Sequence, residues 1–200
     1  MKQLEAGTVD YEIANSQQTG IKPRLLLHAC CGPCTAGALA NIAPYFDITI
    51  YFYNPNIMPK EEFNKRILAL KDVISHFDNV KLVIPKQDES DFLPLVKGME
   101  ALPEGGKRCS ICFAMRLKNT AEYLAAHKGE FDFFATTLTI SPMKNAALIN
   151  EIGNSVAKTL GVNYLSSNFK KHDGFLKSTT LCKQWDIYRQ HYCGCTLRVL

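Results

Sequence analysis

Leu25-Leu26-Leu27 is an unbroken apolar run ended by His28, and Cys30-Cys31-Gly32-Pro33-Cys34 follows it into the small, mostly apolar stretch 35–41. That order predicts a short buried strand turning into a helix. Such a junction presents side chains and free backbone N–H groups at the open end of a sheet. Residues 48–53 (ITIYFY) are β-branched and aromatic, and Asn54-Pro55-Asn56 stops them, so they read as a second strand. Phe63, Ile67, Leu68, Leu70, Val73, Ile74 and Phe77 recur near every 3.6 positions and predict an amphipathic helix over 61–77. Residues 80–84 form a third strand before Pro85, and 91–99 read as a short helix with Gly98 near its end. After the turn-forming stretch 102–107, helical spacing returns from Ser110 with Ile111, Ala114, Met115, Leu117 and Leu124. A fourth strand (131–136), a loop (137–145), a helix (146–160) and a short fifth strand (162–165) follow, with a last helix expected around 176–190.

Strands alternating with helices, with gaps long enough for crossovers, define a single α/β domain with a mostly parallel sheet and flanking helices. Residues 1–20 show no sustained period and read as a flexible arm or cap, leaving 21–200 as the domain. A hydrophobic share of 46% supports one sizeable core, and no apolar run approaches the roughly 18 residues of a membrane span. The N-terminus lacks the charged, apolar and small-residue order of a signal peptide, so a cytoplasmic protein is expected. The net charge of +4 matters only if the basic residues cluster.

Eight cysteines in a chain read as cytoplasmic point to metal or redox chemistry rather than to a disulfide framework. Cys31-Gly32-Pro33-Cys34 is the thioredoxin tetrapeptide, placed between strand and helix where a helix N-terminus stabilises a thiolate. That reading leaves Cys30 and five further cysteines without a role. Cys109 and Cys112 stand at metal-gripping spacing on a loop-to-helix turn, and Cys193-Gly194-Cys195 closes the set near the C-terminus. One zinc ion would use only four of these seven thiols, which favours an iron–sulfur cluster with extra ligands or a redox pair beside it. A structural zinc module is the alternative from a different class. Cys182 stands apart and reads as a buried small hydrophobe.

Five motifs carry a resemblance: 27–34 (LHACCGPC); Arg108-Cys109 with Cys112-Phe113 and Arg116-Leu117; Thr136-Thr137-Leu138 with Ser141-Pro142 and Lys144; 168–171 (NFKK); and 188–195 (YRQHYCGC). In this order they resemble the epoxyqueuosine reductases of the QueH type, from about Arg24 to Cys195. Phe113 stands where a Tyr is usual. The resemblance implies an adenine nucleotide alpha hydrolase-like (HUP-like) core and the last step of queuosine biosynthesis. There the epoxide of epoxyqueuosine, at the wobble position of tRNAs with GUN anticodons, is reduced to the cyclopentene. It also implies a [4Fe-4S] cluster without cobalamin, and a ferredoxin or flavodoxin as low-potential electron donor. Carried over by position, Cys30, Cys31, Cys109 and Cys112 resemble the cluster and metal ligands. Cys34 takes a place where some members bind a second iron through Asp. Cys193 and Cys195 resemble either a redox-active disulfide or ligands of an adjacent iron. A tRNA thiolase of the same fold would need a pyrophosphate loop of the Ser-Gly-Gly-x-Asp-Ser type where Cys31-Gly32-Pro33-Cys34 stands.

The remaining polar residues have two readings each. His28 suits protonation of the leaving oxygen or orientation of a sulfur, against a plain buried histidine. His172-Asp173 offers a loop proton donor, against an inert exposed pair. Thr137 and Lys144 suit ribose, base or phosphate, while Ser141-Pro142 equally suits a helix N-cap. Lys107, Arg108, Arg116, Lys170, Lys171 and Arg189 would form a basic rim for an anticodon loop if the fold gathers them. Trp185, Tyr188 and Tyr192 suit base stacking or ordinary packing.

Overall fold

The computed structural model describes residues 4–195. The expected arm's residues 1–3 and the expected domain's residues 196–200 lie outside the described residues. Four strands, β1 (Arg24–His28), β2 (Asp47–Tyr51), β3 (Lys81–Val83) and β4 (Phe133–Thr136), form one sheet in the order β3-β2-β1-β4. Every neighbouring pair is parallel, and His28 stands opposite both Tyr51 and Thr136. The helices are α1 (Val9–Thr19), α2 (Gly32–Ile42), α3 (Lys60–Ser75), α4 (Lys107–Ala126), α5 (Ala146–Leu160) and α6 (Gly174–Gln184). This is the α/β architecture with a HUP-like core that the pattern and the resemblance predict.

The leucine run explains the layering. Successive strand residues point to opposite faces, so Leu25 and Leu27 join α2, α3 and Phe46 in one core. Leu26 packs on the other face with Phe113, Leu117 and Ala121 of α4 and Ile149 and Ala157 of α5. All three leucines are fully buried. At Gly37 of α2 a Cβ would meet the carbonyl oxygen of Gly174 and the side chain of Ile140. Glycine there lets α6 lie directly on the α2 backbone, which ties the tail after α6 to the helix that carries Cys34.

Four expectations need correction. Residues 162–165 do not form a fifth strand; they make one bridge, Tyr164 to Phe134, and then turn so that Ser166 pairs with Thr8. Residues 91–99 are not an α-helix: a 3-10 turn, Glu89–Asp91, capped by Asp88, ends there, and a second, Leu93–Val96, follows it. The last helix ends at Gln184 rather than Gln190: Ile187 bonds back to Cys182 O and Asp186 takes φ +53°. The stretch expected as an arm or cap contains α1, which its ends define better than its weak period does. Thr8 accepts from the Tyr11 N–H at one end, and Gly20 takes a left-handed turn at the other.

Candidate metal centre and substrate cavity

β1 ends at His28, and the chain delivers Cys30 and Cys31 before α2 starts at Gly32. Cys31 caps α2: its Sγ accepts the Cys34 N–H at 3.4 Å. The sulfurs of Cys30, Cys31 and Cys34 all lie within 4.8 Å of one another. Thr137, directly after β4, accepts from the Cys30 N–H at 3.3 Å and donates to Cys30 Sγ at 3.7 Å. Asn54, after β2, donates to the Ala29 carbonyl at 2.8 Å. Three strand ends thus fix one thiol triad, as the rule for open parallel sheets requires.

The triad stabilises one negative charge. Hydrogen bonds from Cys31 and Cys34 hold the Cys30 thiol well below its ordinary pKa, against burial, with Lys144 and Arg116 assisting. Burial first, and then the neighbouring Cys30, pushes Cys31 up to about 12. Cys34 is raised by the same sharing of hydrogen bonds with Cys30 and Cys31. A thiolate is the form that ligates a metal.

Cys109 and Cys112 project from the first turns of α4, and burial pushes Cys112 up to about 12. They line a cavity of about 390 Å³ with Cys193, Cys195, Arg108 and Arg116. A neighbouring cavity of about 440 Å³ is lined by Cys30, Cys34, Cys193, Arg116, Lys144 and Arg189, among others. Cys193 and Arg116 therefore belong to the walls of both. Arg116 is 2% exposed; its Nε donates to the Cys112 carbonyl at 3.1 Å and its Nη1 to Asn54 Oδ1 at 3.4 Å. Its Nη2 is buried and has no hydrogen-bond partner among the described residues. Burial opposes its charge, and the charges of Cys112, Cys193, Cys30 and Cys109 more than offset that, so its pKa is raised. Lys144 behaves alike: burial opposes its charge, yet Cys193, Cys30 and Cys34 lift it to about 12. Six thiols lining two adjoining cavities, with Cys31 behind them in the triad and a buried cation in the shared wall, suit a thiolate-bound metal group.

The other expected residues divide. Thr137, Lys144, Arg108, Arg116 and Arg189 reach the cavities or the triad; Arg108 is also tied to the Met99 and Glu100 carbonyls. Lys170 stands behind Lys144, donating to its carbonyl at 2.6 Å. Lys171 and His172 instead pair with Asp10 of α1, at 3.6 and 3.4 Å, away from the cavity walls. His28 is fully buried, with Nδ1 2.8 Å from Thr136 Oγ1 and Nε2 3.1 Å from the Tyr53 carbonyl. Burial lowers its pKa to about 4. That is the geometry of a neutral histidine supporting the strand ends. Trp185 stacks on His76 at 4.0 Å and is a packing residue. Cys182 is buried with Ala36, Ala69 and Val73, as expected of a small hydrophobe. The cap of α5 is Asn145, which accepts from the Ala147 and Leu148 N–H groups, rather than Ser141. Sequence reasoning missed Glu62 and Arg66. Their signal was a charged residue on the apolar side of α3, since Arg66 falls between Phe63 and Leu70 at helical spacing.

Fold and site together define a thiol-rich α/β enzyme with a metal-competent centre at the carboxyl end of a parallel sheet. The chain belongs to the epoxyqueuosine reductase QueH family, whose model matches residues 25–198. The relative from Streptococcus pyogenes serotype M1 is 41% identical over 184 residues, covering 90% of this chain and 71% of that protein. The one from Staphylococcus epidermidis is 40% identical over 195 residues, 94% of this chain and 81% of its own. The one from Thermotoga maritima is 37% identical over 178 residues, 88% and 90%. Each is named epoxyqueuosine reductase QueH, so the family is one of oxidoreductases. Membership favours the reductase over the zinc-module and thioredoxin-like alternatives.

Proposed function

We propose that this chain reduces the epoxide of epoxyqueuosine in tRNA to the alkene of queuosine, in the cytoplasm. The observation that carries the proposal is the cavity of about 440 Å³ bounded by Cys30, Cys34 and Cys193 together with Lys144 and Arg116. Its size falls in the range of small-ligand sites, about 300–1,000 Å³. It suits a single nucleotide turned out of the anticodon stack. Epoxide removal takes two electrons and two protons and releases water. A [4Fe-4S] cluster held by Cys30, Cys31, Cys109 and Cys112, with Cys34 left for an additional iron, would supply single electrons at low potential.

The chain's own residues do the rest. Cys193 and Cys195 can store the electron pair as a dithiol and release it on forming a disulfide. Lys144, protonated at neutral pH and part of the cavity lining, can donate to an oxygen gaining charge there. Arg116, in the wall shared by the cavities, offers an Nη2 donor that no other described residue uses. Arg189 in the cavity lining and Lys170 behind Lys144 contribute positive charge for phosphates. His28 and Thr137 hold the triad in place, and a ferredoxin or flavodoxin restores the electrons.

The experiment is anaerobic reconstitution of two variants. Cys109→Ala loses iron, acid-labile sulfide and activity together, whereas Cys193→Ala keeps the cluster absorption and loses activity. Equal loss of iron in both would make the terminal cysteines ligands instead of an electron store. Zinc without sulfide in the wild type would overturn the cluster.

A further inference from the structure

Arg66 of α3 is 2% exposed, and its guanidinium reaches three acceptors at once. Nε donates to Glu62 Oε1 at 2.7 Å, Nη1 to the Cys193 carbonyl at 2.9 Å and Nη2 to the Tyr192 carbonyl at 3.0 Å. Its Cζ also stands 5.3 Å from the Tyr192 ring centre. Glu62 is braced on its second oxygen by the Tyr188 hydroxyl at 2.7 Å. Burial raises the Glu62 carboxyl, and the bonds from Arg66 and Tyr188 more than reverse that, so the pair stays ionised.

The chain is equally constrained on the other side of Cys193. Gly194 takes φ +104°, and a Cβ there would stand 3.0 Å from both Arg66 Nη1 and Ile57 Cγ1. The Met58 N–H donates to the Gly194 carbonyl at 2.9 Å. Consecutive carbonyls, those of Tyr192, Cys193 and Gly194, are thus all anchored to the α3 end of the fold. A planar fork holds two neighbouring carbonyls and a carboxylate in one fixed geometry, whereas a lysine ammonium is a compact charge on a flexible stem.

We infer that Arg66, braced by Glu62 and Tyr188, is a positioning residue that fixes the Cys193-Gly194-Cys195 turn so that Cys193 serves both cavities. The inference rests on the proposed role of Cys193 and Cys195 as the electron store. In that role two thiols form one S–S bond and give up two electrons and two protons. The epoxide accepts these, breaks its C–O bonds and leaves as alkene and water, and the low-potential donor returns the pair to the dithiol. A backbone anchored at three successive carbonyls keeps the turn in register through both states.

The test uses reconstituted holoenzyme carrying Arg66→Lys, with Tyr188→Phe as the milder change that leaves the Arg66–Glu62 pair in place. Three quantities are read: iron and sulfide content, the alkylation rate of Cys193 and Cys195 by iodoacetamide, and kcat and KM on epoxyqueuosine tRNA. In Arg66→Lys, metal content stays at the wild-type level and the two cysteines alkylate about tenfold faster, the scale of one lost charge-assisted hydrogen bond. Turnover falls by a similar factor with KM little changed, and Tyr188→Phe lies between. Alkylation rates at the wild-type level in both variants would overturn the clamp, as would turnover falling only in step with lost iron. A wild-type enzyme that turns over no epoxyqueuosine tRNA would sink the proposed function, while alkylation would still decide the clamp.

Discussion

His28 and Thr136 face each other in register at the ends of β1 and β4, with Nδ1 2.8 Å from Oγ1. The bond joins the two strands at the last residue before each contributes to the thiol triad. The Thr136 hydroxyl also accepts from the Leu138 N–H at 3.1 Å, starting the turn that carries Thr137 to Cys30.

Thr136→Val keeps the shape of the side chain and removes these bonds, leaving a buried imidazole nitrogen unpaired. The expected cost is about 1–3 kcal/mol, the desolvation penalty of one buried polar group. Urea unfolding of the metal-free protein measures it. A change below about 0.5 kcal/mol would show that the bond does not hold the strand ends, since ordinary surface substitutions fall in that range.

Basic residues that the fold gathers should differ from those it does not. Arg189→Ala, in the cavity lining, is expected to weaken binding of an anticodon stem-loop and lower the salt slope of log K by about 1. Lys171→Ala, whose ammonium pairs with Asp10, is expected to change the slope much less. Fluorescence anisotropy over a salt series reads both, and equal slopes in the two variants would remove Arg189 from the RNA contact.

The Glu62–Arg66 pair gives a pH signature. The Glu62 carboxyl sits below its ordinary value of 4.5 in the fold, so the unfolded chain binds that proton more readily. The stability it contributes is therefore full above 4.5 and is lost as pH falls through the lower folded value. The gap in urea midpoint between wild type and Glu62→Gln should be constant near neutrality and close in acid. A gap that widens on acidification would reverse the assigned sign.

Much of this was legible because it is local. The Leu25–Leu27 run announces a strand buried on both faces, and the strand-to-helix turn after it announces where Cys30, Cys31 and Cys34 gather. The helix over α5 follows from its apolar spacing alone. What escaped depends on partners far along the chain. Nothing near Arg66 says that it will hold the carbonyls of Tyr192 and Cys193, and nothing near Lys171 says that Asp10 will draw it aside. Residues 185–190 have a helical composition, yet the turn at Asp186 and the bond from Ile187 to Cys182 end α6 early. Pattern counts neighbours three or four positions away, and tertiary hydrogen bonds overrule it.

The thiols of the centre come from three separate stretches of the chain: directly after β1, at the start of α4 and beyond α6. Cys30 and Cys193 line one cavity although β2, α3, α4, β4, α5 and α6 all lie between them in sequence. Contacts so distant close a long loop and form only as the intervening elements fold. The complete set of thiols is therefore a property of the folded chain, and a metal group that needs all of it binds folded protein and stabilises it against unfolding.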